Sequence, residues 1–258
     1  MDETLDFPLR ANRPRVSVCM AAYNGARFIE EQIASILSQL VMGDELIVID
    51  DGSRDDTVDR VRRFADNRIR LVINESNVGY VRTFEKAIGL ASNEVLFLSD
   101  QDDRWIPARV ESMVAALNDV DLVVSNFASF GGELTRVQRM RLKASDSGRW
   151  FSNIFWMWVG TRPYYGCCMA FRKELVDDLL PFPEYLSETH DQWIGYVANA
   201  RHSVRHLEVN TVDRRVHDAN SSARGNRPVL VVLRARIMTG RAILEALRRA
   251  RRHQRRGR

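Results

Sequence analysis

The chain has 258 residues with 45% hydrophobic side chains, which is enough for one large domain with a buried core. It contains no apolar run near the roughly 18 residues of a membrane-spanning helix, no basic start of a signal peptide, and three cysteines without disulfide or metal-knuckle spacing, so a reducing, cytoplasmic compartment is expected. The net charge of +4 comes from ten arginines within residues 234–258, which leaves the rest of the chain acidic and argues against a nucleic-acid-binding domain.

Short apolar runs alternate with amphipathic segments in the first part of the chain. Runs of β-branched or bulky residues predict buried strands at residues 15–20, 46–49, 69–73 and 95–98. Between them, apolar side chains at spacings of three and four predict helices at residues 28–40, 58–64 and 84–90. This alternation predicts an α/β fold with a single Rossmann-like, doubly wound and mostly parallel sheet.

The pattern is looser after residue 103. It predicts helices at residues 106–117, 173–180 and 191–200, strands at 122–125, 164–171 and 204–212, and a polar loop at 131–147. We therefore expect one domain over residues 15–222, with a nucleotide-binding half at 15–103 and a smaller acceptor half at 104–222. An N-terminal extension at 1–14 and a basic tail at 223–258 flank this domain.

Acidic residues follow two of the predicted strands. Asp50 and Asp51 end the second strand, and residues 100–103, Asp-Gln-Asp-Asp, end the fourth. The carboxyl ends of parallel strands meet at one sheet edge, where α/β folds bind ligands. Carboxylates there suit Mg²⁺ or Mn²⁺ with phosphate oxygens, or a ribose hydroxyl. Each couplet by itself also fits an ordinary turn with helix-capping residues.

Two later segments carry further candidate residues. Asp191 opens a predicted helix, either as a simple cap or as a carboxylate that accepts a proton from an alcohol. Arg214 and Arg215 suit phosphate oxygens, which guanidinium groups bind bidentately. His217 suits a metal shell, although a lone histidine late in a chain is more often a surface residue.

Two apolar segments lie outside these candidate sites. The aromatic stretch 150–159 fits core packing, a sugar-stacking platform or a membrane-touching lip. In the tail, apolar residues from Leu230 to Leu247 recur at spacings of three and four, beside Arg234, Arg241 and Arg248. This pattern predicts a basic amphipathic helix that contacts a membrane surface or a partner, or that packs loosely on the domain.

In order and spacing, six segments resemble the inverting GT-A glycosyltransferases of family 2, and within them the rhamnosyltransferase-like branch. The segments are residues 16–25 (VSVCMAAYNG), 47–53 (IVIDDGS), 77–79 (NVG), 97–103 (FLSDQDD), 166–171 (GCCMAF) and 190–193 (HDQW). The resemblance covers about residues 16–220 and implies a GT-A fold. It departs from the family pattern at Ala21-Ala22, where many members have Pro-Thr, and at Asp218, where a glycine often follows the histidine.

The resemblance implies a role for each candidate residue. The nucleoside is expected near Ala22, Tyr23, Asn24, Asp50, Asp51, Gly79 and Arg82. Asp100 and Asp102 are expected to hold Mn²⁺ or Mg²⁺ against the diphosphate, with Asp102 as a direct ligand and His217 as a further one. Asp191 matches the general base, and Arg214 or Arg215 matches the late loop that closes over the diphosphate.

The expected activity is a metal-dependent, inverting transfer of a sugar in cell-surface polysaccharide synthesis. The donor is expected to be dTDP-rhamnose, or secondly a UDP-sugar, and the acceptor a saccharide or a lipid-linked saccharide. We expect a cytoplasmic protein whose C-terminal helix contacts the cytoplasmic face of the inner membrane, without a nucleic-acid partner. The alternatives are an inactive relative that binds sugar nucleotide or scaffolds an assembly complex and, from the arginine tail alone, a nucleic-acid-binding protein.

Overall fold

The computed structural model describes residues 13–135, 138–217 and 228–256, except for the side chain of residue 256. Most of the predicted N-terminal extension, and the predicted boundary between domain and tail near residue 222, lie outside these ranges. The predicted division of the chain into halves and a tail therefore stays a prediction.

The strands and helices follow the predicted order along the chain. The strands are β1 Val16–Ala22, β2 Glu45–Asp50, β3 Ile69–Ile73, β4 Val95–Asp100, β5 Arg104–Trp105, β6 Leu122–Phe130, β7 Met169–Arg172 and β8 Val204–Arg215. The helices are α1 Ile29–Leu37, α2 Thr57–Arg62, α3 Tyr80–Leu90, α4 Arg109–Ala116, α5 Trp150–Val159, α6 Val176–Leu179, α7 His190–Ala200 and α8 Val229–Arg256.

The first four strands form the parallel half of an eight-stranded sheet, in the order β3-β2-β1-β4. β1, β2 and β4 are almost entirely buried, which explains why their sequences are continuous apolar runs rather than alternating ones. The strand register places Ala22 beside Asp50 and Ala21 beside Asp100. The two acidic strand ends therefore meet at one edge of the sheet, as the sequence predicted.

The other half of the sheet is mixed, in the order β7-β6-β8-β5. β7 runs antiparallel to both β4 and β6, and its strand is shorter than predicted because residues 166–168 form a single 3-10 turn. β8 is longer than predicted and continues to Arg215. β5, which directly follows Asp103, pairs with β8 at Asp213 and Val212. This pairing carries Arg214 and Arg215 to the acidic end of β4.

Helix α5, which spans the whole aromatic stretch, is only partly a core element. Ile154 and Met157 are buried, whereas Phe151 is 70% exposed. Phe155, Trp156 and Trp158 on the same helix are each between 36% and 44% exposed. The core interpretation therefore holds for one face of α5 and not for its aromatic face.

Helix α8 packs on the domain through small residues. Thr239, Ala242, Ala246 and Ala250 are buried at spacings of three and four, and Arg249 donates hydrogen bonds to the backbone carbonyls of Asp178 and Leu179 at 3.1 Å. The predicted apolar stripe lies on the opposite side, with the exposed residues Leu230, Leu233, Ile237 and Leu244. Within the part of the chain that the structure describes, no helix combines the length and apolarity needed to cross a bilayer.

Candidate active site

A cavity of about 520 Å³ opens at the carboxyl ends of β1, β2 and β4. α7 and the end of β8 close its other side, because the mixed half of the sheet curls toward the parallel half. The lining includes eight of the predicted site residues: Ala22, Tyr23, Asp51, Gly79, Asp100, Asp102, Asp191 and Arg214. The structure therefore collects most of the predicted site around one space.

Asp51 holds the loop that leads into α3. One carboxylate oxygen accepts hydrogen bonds from Asn74 Nδ2 at 2.8 Å and from the Val78 backbone N–H at 2.9 Å. The other accepts from the Gly79 N–H at 2.9 Å. Gly79 has φ +85°, a conformation that a residue with a side chain adopts only with strain. Asp51 thus shapes the cavity wall through the loop 74–79 as well as lining it.

Asp50 and Asn24 lie behind the cavity wall. Asp50 is buried, and one of its oxygens accepts from the Ser53 N–H at 2.9 Å, while the other has no hydrogen-bond partner among the described residues. Asn24 donates its backbone N–H to Ser53 Oγ and accepts from the Arg54 N–H, both at 2.9 Å. These contacts join the loops after β1 and β2 and shape the site from outside its lining.

Gln101, which the sequence analysis left without a role, connects the acidic loop to Tyr23. Its side-chain oxygen accepts from the Tyr23 N–H at 2.8 Å, and its Nε2 donates to the Tyr23 carbonyl at 3.0 Å. A Cβ atom at Gly25 would collide with this carboxamide, so the glycine leaves room for Gln101 to reach Tyr23. The only sequence signal for this contact was the position of Gln101 inside the acidic tripeptide.

The acidic loop after β4 concentrates negative charge in a buried place. Burial, and secondly the neighbouring Asp102, raise the pKa of Asp100 to about 7. Burial, followed by Asp100, raises the pKa of Asp103 well above its ordinary value. One oxygen of Asp103 accepts from the Arg215 N–H at 3.0 Å, and the other is buried without a partner among the described residues. A divalent cation would compensate the negative charge that these carboxylates concentrate in one loop.

The end of β8 supplies the basic side of the site. Arg214 is buried, with its guanidinium 4.6 Å from the Tyr165 ring centroid. Desolvation acts to lower the pKa of Arg214, but Cys167, Asp103 and Asp100 outweigh it and hold the pKa above its ordinary value. His217 Nε2 lies 2.7 Å from Asp102 Oδ2, so the late histidine does reach the acidic loop.

Two sets of residues fit a metal. Ligand atoms of Asp100, Asp103 and Cys167 lie within 4.8 Å of one another, whereas the sequence favoured Asp100, Asp102 and His217. Asp102 lines the cavity, while Asp103 does not and is bonded to the backbone of Arg215. A soft thiol is also a poor ligand for Mg²⁺ or Mn²⁺. We therefore prefer the set that contains Asp102.

Asp191 lies in the first turn of α7 and faces the cavity. Burial raises its pKa to about 6, although the Gln192 N–H, 2.8 Å from Oδ1, acts against this rise. The residue at the N-cap position is Thr189, so Asp191 does not serve as the predicted alternative, a simple cap. A half-buried carboxylate with a pKa near neutrality is suited to accept a proton from a hydroxyl.

His190, beside Asp191, was not predicted to belong to the site. Its ring stacks on Phe84 at a centroid distance of 4.2 Å, and neither ring nitrogen has a hydrogen-bond partner among the described residues. Burial lowers its pKa to about 3, which keeps the ring neutral. The contact of His190 with Phe84 could not be predicted from the sequence, because α7 and α3 are distant segments of the chain.

The remaining predicted residues lie outside the cavity lining. Arg82 donates to the backbone carbonyls of Pro183 and Glu184 at 2.9 Å, so it fixes the loop before α7. Arg215 donates to the Asp102 carbonyl at 3.0 Å and forms an ion pair with Glu31. Their predicted contacts with the donor stay predictions.

Comparison with known proteins decides the family. The family model described as glycosyl transferase family 2 matches residues 17–180, which is more than half of the chain. The chain belongs to glycosyl transferase family 2. The family and the GT-A fold class predicted from the sequence are therefore confirmed, whereas the rhamnosyltransferase-like branch stays a prediction.

Individual relatives share only part of this family 2 protein. It is 33% identical over 114 residues to the Escherichia coli UDP-Glc:alpha-D-GlcNAc-diphosphoundecaprenol beta-1,3-glucosyltransferase WfgD. The matched region covers 43% of this chain and 45% of WfgD. A second relative is an uncharacterized glycosyltransferase of Haemophilus influenzae, 34% identical over 116 residues, covering 44% of this chain and 36% of that protein. The chain thus spans less than half the length of these curated relatives.

Solved structures share its fold. S. aureus TarS 1–349 in complex with UDP-GlcNAc superposes with a TM-score of 0.65 at 18% identity, covering 91% of this chain and 72% of TarS. Glucosyl-3-phosphoglycerate synthase from Mycobacterium tuberculosis, with Mn²⁺, UDP and glucosyl-3-phosphoglycerate bound, superposes with a TM-score of 0.58 at 25% identity, covering 93% and 81% of the two chains. Both likenesses agree with a mixed α/β sheet flanked by helices.

Proposed function

We propose that this family 2 protein transfers a sugar from a nucleotide-diphosphate donor to an acceptor hydroxyl, with inversion at the anomeric carbon. The observation that carries the proposal is the single cavity that brings together Asp51, the acidic loop after β4, and Asp191. The nucleoside lies against Asp51 and Gly79, the diphosphate lies between the acidic loop and Arg214, and the acceptor enters beside Asp191.

Asp191 is the general base in this mechanism. The acceptor oxygen attacks the anomeric carbon on the face opposite the nucleotide, and the bond from that carbon to the diphosphate oxygen breaks. The acceptor proton passes to the Asp191 carboxylate, and the electron pair of the broken bond stays on the diphosphate. The buried cation of Arg214 stabilises the negative charge that develops there.

Asp100 and Asp102, with His217 beside them, would hold Mn²⁺ or Mg²⁺. The residues fit this role, because three buried or half-buried carboxylates share the loop 100–103, and one buried oxygen of Asp103 has no hydrogen-bond partner among the described residues. A bound divalent cation supplies electrostatic stabilisation of the diphosphate leaving group. The bound Mn²⁺ of the M. tuberculosis synthase supports the choice of metal.

The donor sugar is the least constrained part of the proposal. The branch resemblance favours dTDP-rhamnose, whereas the UDP-Glc used by WfgD and the UDP-GlcNAc bound to TarS favour a UDP-sugar. Since both donors share a pyrimidine diphosphate, both are compatible with the loop 74–79 at the nucleoside end. We propose a pyrimidine nucleotide donor, and the test below compares dTDP-rhamnose with UDP-sugars.

The acceptor side supports a lipid-linked saccharide. WfgD acts on a sugar attached to diphosphoundecaprenol. In this chain, the exposed face of α8 combines apolar residues with Arg234, Arg241 and Arg248, which is typical of helices that bind anionic membrane surfaces. We propose that the protein works at the cytoplasmic face of the inner membrane through this helix.

The test is a thermal-shift panel of nucleotide sugars on the full chain, with and without Mn²⁺. The true donor should raise the melting temperature in a concentration- and Mn²⁺-dependent manner, because a ligand that binds the native state stabilises it by mass action. The same donor should be hydrolysed slowly without acceptor. Donor binding without any hydrolysis or transfer would favour the inactive-relative alternative, and no shift with any donor would contradict the proposal.

A further inference from the structure

A second groove of about 410 Å³ lies between α8 and the segment before α7. Tyr185, Ser187 and Glu188 line one wall, and Arg234, Met238 and Arg241 line the other. Glu188 also lines the cavity that contains Asp191. The groove therefore adjoins the candidate active site on its acceptor side.

The walls of this groove are held in place. Ser187 Oγ lies 3.6 Å from the Met238 sulfur, and the Arg241 guanidinium lies 4.2 Å above the Tyr185 ring centroid. On its opposite side, α8 is fixed to the domain by the buried Ala242 and Ala246. The position of the two groove arginines thus follows from the packing of α8.

The groove suits an anion. Among the described residues, neither Arg234 nor Arg241 forms an ion pair with a carboxylate, although many of the other arginines do. The two residues lie seven positions apart, which places both guanidinium groups on one side of the helix. Guanidinium groups recognise phosphate oxygens through charge-assisted hydrogen bonds.

The outer rim of the groove is apolar and exposed. Val231 and Ile237 line the groove and are 43% and 57% exposed. Leu230 and Leu233 lie on the same helix and are 70% and 54% exposed. The groove and its rim thus combine one carboxylate, two arginines and exposed aliphatic side chains. These three kinds of side chain suit the hydroxyls of a saccharide, the oxygens of a diphosphate and the carbons of a prenyl chain.

We propose that the groove between residues 185–188 and α8 binds the diphosphate of a prenyl-diphosphate-linked acceptor. This inference rests on the proposed transferase function and adds its acceptor site. Arg234 and Arg241 bind the diphosphate, Glu188 accepts a hydrogen bond from a hydroxyl of the acceptor sugar, and Val231 and Ile237 contact the first prenyl units. The diphosphate anchors the sugar so that its free hydroxyl reaches Asp191.

The test measures binding of farnesyl diphosphate to the full chain in EDTA, so that the acidic loop cannot bind the diphosphate through a metal. The double variant Arg234→Gln, Arg241→Gln should weaken binding by about tenfold or more, because two charge-assisted contacts are lost. The matched control Arg251→Gln, Arg252→Gln removes the same charge from exposed positions of the same helix outside the groove, and its affinity should stay within about twofold of the parent.

Several outcomes would overturn the inference. If both double variants bound farnesyl diphosphate equally weakly, the binding would reflect general charge attraction. If the parent chain did not bind farnesyl diphosphate, the groove would not be a site for it. If inorganic pyrophosphate bound as tightly as farnesyl diphosphate, the groove would be a site for free anions. If farnesol bound as tightly as farnesyl diphosphate, the groove would be an apolar surface only. Donor-induced thermal shifts should be the same in all variants. A parent chain without such shifts would contradict the proposed function and leave the farnesyl diphosphate result standing.

Discussion

Asp191 combines three features that catalysis by a general base requires. It is half-buried, it faces the cavity, and its pKa is raised to about 6 because desolvation disfavours the charged carboxylate. The neighbouring His190 is held neutral by its own burial and adds no positive charge that would lower this pKa. Two predictions follow from the proposed role of this residue.

Asp191→Asn should lower the transfer rate by about 10²- to 10⁴-fold, because the amide cannot accept the proton of the acceptor hydroxyl. Donor affinity should change little, since the substitution keeps the shape of the side chain. The measurement pairs initial transfer rates with donor titrations, and the exposed Asp177→Asn on α6 is the matched control. A donor affinity that falls as far as the rate would show that Asp191 binds the donor instead.

The pH dependence of transfer should report the same carboxyl group. Only the ionised form accepts a proton, so the rate should be constant above the pKa of about 6 and should fall by about tenfold per pH unit below it. Initial rates at saturating donor, measured between pH 4.5 and 8 in about half-unit steps, would test this. A rate that stays constant down to pH 5 would contradict the assignment.

Asp102→Asn should weaken the Mn²⁺-dependent binding of the donor, and not only the transfer step. If Asp102 is a direct metal ligand, its loss weakens Mn²⁺ binding, so the Mn²⁺-dependent part of the donor-induced thermal shift should disappear. Asp119→Asn, in an exposed ion pair with Arg205, is the control and should keep the full shift. An unchanged shift in Asp102→Asn would favour the alternative set of Asp100, Asp103 and Cys167.

At the scale of elements, loops are fixed to strand ends by buried polar side chains. Asp51 receives three hydrogen bonds from the loop 74–79, and Gln101 connects the acidic loop to Tyr23 with two. Asp103 performs the same task for β8 through the Arg215 N–H. The residues nearest the proposed ligands are therefore positioned before any ligand binds, which lowers the cost of binding.

Asp51→Asn should destabilise the fold by about 2 to 3 kcal/mol. One carboxylate oxygen becomes an NH₂ group that faces an N–H donor, and hydrogen bonds to a charged acceptor are among the stronger ones. Urea denaturation would measure the loss. Asp56→Asn, an exposed residue at the start of α2, should change stability by less than about 0.5 kcal/mol. Equal stabilities of the two variants would show that Asp51 does not hold the loop.

At the scale of the whole molecule, α8 divides its two sides between different tasks. Its small residues pack against the domain, where close approach needs short side chains, whereas Leu230, Leu233, Leu244 and three arginines, Arg234, Arg241 and Arg248, are exposed. The aromatic helix α5 lies next to α8, with Trp158 Nε1 donating to the Arg236 carbonyl at 3.1 Å. Exposed aromatic side chains of α5 and exposed aliphatic side chains of α8 therefore lie on neighbouring helices, which agrees with the proposed membrane contact.

The packing of α8 gives a paired prediction. Ala246→Leu should destabilise the protein by about 1 to 3 kcal/mol, because the larger side chain does not fit between α8 and the domain. Leu244→Ala, two residues away on the exposed side, should change stability by no more than about 0.5 kcal/mol. Thermal denaturation of both variants would check this. The opposite ranking would mean that α8 packs through its leucine stripe.

The sequence by itself determined the first four strands, the helices between them and the edge where the site forms. Strands buried on both faces must be continuously apolar, and parallel strands must end at the same edge, so Asp50 and Asp100 could be placed together without coordinates. The family motifs then indicated Asp191 as the base, and the structure places it in the same cavity.

Only the tertiary structure decided which side chains face that cavity and which support it. Asp50 and Asp51 are neighbours in the sequence, yet one lies behind the wall and the other lines it. The partner of Asp103 depends on the pairing of β5 with β8, and the outward side of α8 depends on where short side chains permit close packing. Periodicity shows that a helix has two sides, but contacts between distant segments determine which side is buried.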